Sequence, residues 1–310
     1  MFRALAFEAI GLTRKHNSQR NVMNALSKFF EWPTGLIELA KDVYAYVQPK
    51  GIAGFSNAGL IVGPEYCVVV DTLGTNSMQE GFVSAIKKLT DKPVGLVLIT
   101  HHHVDHILGT HRFMPARIVC HRACRAQILS GGQDIPRNWG IKRPHFAADL
   151  HNIPVIVPDI TFDDRISVHL GDRELVFYHP GVAHTHGDAA LLLPKEKILF
   201  TGDLFFNRVC PAAHQGTLKG WAGVVREMLE LDIDTLVPGH GPLAGKPELR
   251  EMLRYLDIIY AGARKGFELG WSEKRAADEM ELGDLRQWGD TEERLVEDLL
   301  QAYREFRAEA

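Results

Sequence analysis

The sequence predicts a layered α/β fold. Short β-rich runs occupy its first part, four strand-like runs farther on each lead into a polar cluster, and long helical segments begin at Pro247. With 310 residues the chain is long enough to bury a sizeable core in one large domain or two small ones. Its hydrophobic content of 45% and charged content of 24% are those of an ordinary globular protein and disfavour disordered and fibrous classes. A net charge of -4 argues against a broad grip on phosphate backbones, which needs a basic face.

Residues 1–34 read as an N-terminal extension, partly helical, closed by Trp32-Pro33-Thr34-Gly35, where proline and glycine punctuate the chain. The runs VYAYVQ (43–48), GLIVG (59–63) and CVVVD (67–71) follow as strands separated by turn residues. A helix is predicted over 76–90, capped by Asn76 or Ser77, with Phe82, Ile86 and Leu89 on one face. GLVLIT (95–100) is apolar on both faces, so it reads as a buried strand, and it runs directly into a histidine cluster. The arrangement recurs in ELVFYHP (174–180) before His184, in AALLLP with KILFTGD (189–203) before Asp203, and in DTLVPGH (234–240) before His240. Layered α/β folds collect polar groups at such strand ends, where a rigid sheet holds a loop free to carry them. Beyond Pro247, Leu249, Met252, Leu253, Leu256 and Ile259 recur at the helical period and predict an apolar stripe.

Cys67, Cys120, Cys124 and Cys210 lack the paired spacings of a zinc ribbon and read as reduced thiols. The first residues hold a short apolar run broken by Glu8 and no small-residue cleavage site, which argues against a secretory signal, although their basic character leaves organelle targeting as an alternative. No stretch approaches the roughly 20 apolar residues of a membrane span. The expected location is cytoplasmic.

The chemistry is concentrated in Thr100-His101-His102-His103-Val104-Asp105-His106. His101 and His103, two apart at a strand end, can point the same way, and alternation turns His102 aside. Asp105 and His106 are then free to face a second point. Zinc takes neutral imidazole nitrogens and carboxylate oxygens, and a catalytic zinc keeps one position for water. Further donors stand in GVAHTHGD (His184), TGD (Asp203) and PGHGP (His240), each beside glycines that permit tight turns and close backbone approach. His186 and Asp188 are candidates for a supporting role, because a ligating imidazole usually gives its other nitrogen to a carboxylate or carbonyl. The remaining histidines read as ordinary core or surface residues.

The motifs HHHVDH, AHTHGD, TGD and PGHGP, in this order over roughly residues 40–245, resemble those of the metallo-β-lactamase superfamily. The resemblance implies a four-layer αβ/βα sandwich as the catalytic domain, here 35–245, with the C-terminal helices of 246–310 packed on it and walling the substrate cleft. It implies one metal on His101, His103 and His184, another on Asp105, His106 and His240, and Asp203 bridging them. A carboxylate at Asp203, where one group of β-lactamases carries cysteine, is similar to the glyoxalase II-like and lactonase-like branch, yet no glutathione-binding residues are recognisable in the C-terminal helices. Phe206 and Arg208, just after Asp203, are candidates to line the pocket, Arg208 as an anion clamp, with apolar packing of Phe205 and Phe206 as the equal alternative.

The implied activity is that of a zinc-dependent hydrolase with two Zn2+ per chain, iron or manganese also suiting the donors. Its hydroxide would cleave an ester, lactone, thioester or amide, with Asp105 orienting the nucleophile. An iron-dependent oxidoreductase resembling persulfide dioxygenases is the alternative, and a phosphodiesterase or nuclease ranks below it. The expected partner is a small-molecule substrate, with no nucleic acid and no membrane; a homo-oligomer stays open.

Overall fold

The structure, a computed structural model, describes residues 31–213 and 215–309. The helical part expected within residues 1–30 lies outside the described residues. Packing divides the chain into Met1–Pro33 and Thr34–Ala310, and the second unit includes the C-terminal helices.

The first sheet runs in the order β1 to β7. β1 (Gly35–Ala40), β2 (Val43–Val47), β3 (Ala58–Val62) and β4 (Cys67–Val70) pair antiparallel. β5 (Val94–Ile99), β6 (Arg117–His121) and β7 (Ile160–Phe162) extend it in parallel. The second sheet comprises β8 (Arg165–Leu170), β9 (Arg173–Tyr178), β10 (Ala190–Leu193), β11 (Ile198–Phe206) and β12 (Thr235–His240). It is antiparallel except between β11 and β12. The longer helices are α1 (Asn76–Leu89), α2 (Arg122–Gly131), α3 (Ile135–Lys142), α4 (Leu218–Glu230), α5 (Lys246–Glu268) and α6 (Thr291–Glu309).

Two-residue alternation builds the layers. In the first sheet Leu60, Val69, Val97 and Ile118 share a core with Phe82 and Ile86 of α1. Their neighbours Ile61, Val68, Leu98 and Val119 are equally buried and face the other way. A Cβ on Gly59 of β3 would collide with the ring of Phe200 of β11, so the two sheets meet face to face. On the far side of the second sheet, Leu199 and Leu236 join a second core with Trp221 and Val225 of α4, Met252 and Leu256 of α5, and Leu299 and Phe306 of α6. The molecule is thus a mixed α/β fold in which two sheets pack together with helices outside them, the arrangement the resemblance implied.

Several local expectations shift. α1 is capped by Thr75, whose Oγ1 accepts from the Met78 amide, and not by Asn76 or Ser77. Its buried face is Gln79, Phe82 and Ile86; Leu89 belongs to a last turn that faces solvent and is 42% exposed. In α5, Leu249, Met252, Leu256 and Ile259 are fully buried as the periodicity predicts, whereas Leu253 is only partly covered and Tyr255 takes a place in the core. All four cysteines are free and buried. Among the described residues no helix is long and apolar enough to cross a membrane.

Candidate metal centre

Three strands and one turn supply the candidate donors. β5 stops at Ile99, and a helical turn opens at Val104 with His103 as its cap. The change from extended loop to helix between His103 and Asp105 lets one short segment face two points. His184 stands in the turn after β9, and His240 is the last residue of β12. Asp203 was expected at a strand end but lies inside β11, where register shifts against β12 fall between Phe200 and Gly202 and between Gly202 and Phe206. Such irregularities re-aim a side chain without ending the strand. Glycine is required beside it: Gly202 has φ +50, and a Cβ on Gly239 would collide with Asp203 Oδ1.

All seven predicted donors converge. His101, His103, His184 and Asp203 form one group able to hold a metal ion, and Asp105, His106 and His240 form another. Asp203 faces both. Its Oδ2 lies 3.6 Å from His101 Nε2 and 3.3 Å from His184 Nε2. Its Oδ1 lies 3.1 Å from His106 Nε2 and 3.5 Å from His240 Nε2. His240 Nε2 is also 3.4 Å from Asp105 Oδ2.

Contacts behind the rings fix which nitrogen looks inward. His106 Nδ1 donates to Asp71 Oδ2 at 2.8 Å, and His240 Nδ1 donates to the Gly51 carbonyl at 3.0 Å. Thr100 Oγ1 already donates to Asp71, so it accepts from His101 Nδ1 at 3.1 Å. In all three rings Nε2 faces the site. His103 is reversed: its Nε2 donates to Gln215 Oε1 at 2.7 Å, which points its Nδ1 lone pair to within 2.8 Å of His184 Nε2. Asp105 Oδ2 accepts from the Gly54 amide at 3.1 Å, and the Asp105 carbonyl accepts from Ser56 Oγ.

Asp203 and the imidazoles around it strongly perturb one another. Asp203 is nearly buried, yet the surrounding His106, His240 and His101 outweigh the cost of burial and hold its carboxyl well below the usual range. Burial and the neighbouring His106 push His101 well down. Burial opposes charge on His240, but Asp203 and Asp105 draw it up to about 9. His101 Nε2, His106 Nε2 and Asp203 Oδ1 are buried without a hydrogen-bond partner among the described residues. Buried polar atoms rarely remain unsatisfied, and inward lone pairs around a shared carboxylate are the donor set of a hydrolytic metal site. The residues fit a pair of divalent ions.

The centre opens into a cleft of about 810 Å3. Phe206 lines it and stacks on His240 with ring centroids 5.1 Å apart. Arg208 does not line it: a left-handed backbone, φ +59, ends the strand there, and the residue is exposed. The cleft instead takes its basic groups from Lys142, Arg143, Arg294 and Arg304, which lie far along the chain from the metal motifs. His186 is exposed and outside the cleft. Asp188 accepts from the amide and hydroxyl of Thr185 at 2.8 and 2.6 Å and braces the turn that carries His184. His102 lines the cleft, and burial lowers its pKa to about 4. Sequence reading missed Asp71 and Gln215. An acidic residue closing the buried run CVVVD is a usable signal for the first, while nothing in the sequence marks the second.

Known proteins match this architecture. A linear primary-alkylsulfatase of Pseudomonas sp. (strain ATCC 19151) is 23% identical over 231 residues, which cover 63% of this chain and 43% of that protein. A metallo-beta-lactamase type 2 of Bacillus sp. (strain 170) is 24% identical over 72% of this chain and 80% of its own length. The solved structure of Pisa1, a stereoselective inverting sec-alkylsulfatase from Pseudomonas sp., superimposes with a TM-score of 0.70 at 18% identity, covering 88% of this chain and 50% of that one. The chain therefore spans about half the length of the alkylsulfatases it matches. A family model described as the metallo-beta-lactamase superfamily fits residues 51–240, more than half of the chain. With its two packed sheets and converging donors, the chain belongs to the metallo-beta-lactamase superfamily, whose relatives matched here are hydrolases.

Proposed function

We propose that the protein is a dinuclear metal-dependent hydrolase of a small-molecule ester, lactone, thioester or amide. The observation that carries this reading is Asp203, whose two carboxylate oxygens each face a different set of histidines. His101, His103 and His184 would hold one ion and Asp105, His106 and His240 the other, with Asp203 between them. Zinc suits these donors best, and iron or manganese is accepted by the same set. When bound, the ions supply an activated water at neutral pH and Lewis acidity toward the scissile group.

The chain's own residues do the rest. Asp71, Gly51, Thr100 and Gln215 hold four imidazoles aimed, so no ring must turn during turnover. Hydrogen bonding from His240 outweighs burial and keeps Asp105 ionised, so it can accept a hydrogen bond from the attacking water and hold it in line. Phe206 covers His240 and excludes bulk solvent from that side.

A sulfate ester is the second reading. It is favoured by the likeness to the alkylsulfatase and by Lys142 and Arg304, which line the cleft with no ion-pair partner among the described residues. The test is a panel of aryl esters, lactones, thioesters, β-lactams and alkyl sulfates, run with metal analysis and oxygen uptake. Zinc-dependent turnover of one class without oxygen uptake, abolished in His103→Ala, supports the proposal. Iron with oxygen uptake replaces it by the oxidoreductase.

A further inference from the structure

The C-terminal helix α6 reaches across to Ala213 and residues 215–219 with three side chains on one face. Asp298 Oδ1 accepts from the Ala213 amide at 2.8 Å, and Gln301 Nε2 donates to the Gly216 carbonyl at 2.7 Å. Glu305 accepts from the Leu218 amide at 2.6 Å and the Lys219 amide at 3.4 Å, capping the start of α4. The spacing 298, 301, 305 is the i, i+3, i+7 row that a helix presents on one side. Asp298 is fully buried, and its other oxygen accepts from the Tyr255 hydroxyl of α5 at 2.7 Å. The row is therefore anchored in the core.

The segment held by this row touches two of the donor-bearing stretches. Gln215 accepts from His103 Nε2 at 2.7 Å, which points the ring's Nδ1 inward. Thr217 donates its amide to the carbonyl of Ala183, the residue before His184, at 2.9 Å. Gly216 lies so close to that carbonyl that any Cβ there would collide with it. His103 and His184 belong to the same group around Asp203 Oδ2.

We infer that α6 is a support for one half of the metal centre: Asp298, Gln301 and Glu305 are positioning residues that hold Ala213 and residues 215–219 so that Gln215 orients His103 and Thr217 sets the turn of His184. This rests on the dinuclear reading above. The helix acts on the ion of His101, His103 and His184 and leaves the ion of Asp105, His106 and His240 alone.

The test uses the full chain loaded with zinc, and separately with cobalt, in wild type, Gln215→Leu, Gln215→Glu and Gln301→Leu. Metal retention is titrated against a chelator, the cobalt absorption spectrum is recorded, and thermal melting is followed in parallel. Loss of an outer hydrogen bond to a ligating histidine typically weakens a metal about 10- to 100-fold. The expected result is that Gln215→Leu and Gln301→Leu weaken one of two ions by that factor and alter half of the cobalt spectrum. The other ion stays at wild-type affinity, and Gln215→Glu, which keeps an acceptor for His103, restores the first. Gln215 is exposed, so its variants read the hydrogen bond without a folding penalty. Two ions at wild-type affinity in both leucine variants overturn the inference, and so does an equal weakening of both ions that follows the melting temperature. A wild-type chain that binds no metal removes the dinuclear reading itself, and the inference with it.

Discussion

His101, His103, His106 and His240 each have a protein group on the nitrogen that faces away from the site, as the rings of a metal cage do. Asp71 is the strongest case, because one carboxylate takes the Thr100 amide, the Thr100 hydroxyl and His106 Nδ1. Asp71→Ala leaves the His106 tautomer unset and the Thr100 amide and hydroxyl without their carboxylate acceptor; metal affinity, measured by chelator competition, is expected to fall about 10- to 100-fold. Unchanged affinity would remove Asp71 from the account. At this scale the donors were legible in the sequence because each sits in a short motif whose local geometry decides its direction. Asp71 and Gln215 were not, because they meet His106 and His103 across sequence separations of 35 and 112 that only folding closes. Arg208 was misplaced for a related reason: adjacency to Asp203 in sequence says nothing about the backbone turn that carries it out of the cleft.

The elements carry their own consequences. Strand and helix runs with strong periodicity, such as β5 and α5, were visible in the sequence, since burial on one or both faces dictates their residues. The extension of β11 through Asp203 to Phe206 was not, because a glycine and two register shifts are settled by pairing with β12. Phe82 anchors α1 on the first sheet with 1% exposure, so Phe82→Ala is expected to cost about 3–5 kcal/mol in denaturant unfolding. On α6, burial raises the Asp298 carboxyl to about 7 despite its hydrogen bonds to Ala213 and Tyr255. A carboxyl raised in the folded state favours folding below its ordinary range near 3.9, and that contribution is lost as pH rises through about 7. Asp298→Asn keeps an acceptor for Ala213 and removes the titration. Its melting temperature relative to wild type is therefore expected to rise between pH 5 and pH 8, and a difference that stays constant with pH would contradict this assignment.

For the molecule as a whole, the two face-to-face sheets bring donors from four separate stretches of chain to one edge, and the C-terminal helices close the second core behind them. The layered α/β class was legible because buried strands and amphipathic helices follow from hydrophobic pattern, whereas the layer order came from the resemblance carried by the four motifs. The pattern named no element where α3 lies, because the place of this helix and its cleft-lining Trp139 and Lys142 depends on tertiary packing. Since seven donors converge only in the folded state, metal binding is linked to folding, and chelation is expected to lower the melting temperature of the full chain. The central claim is tested most directly by elemental analysis of the purified full chain after equilibration with zinc. Two divalent ions per chain is the predicted result; a chain that retains none while remaining folded would contradict it.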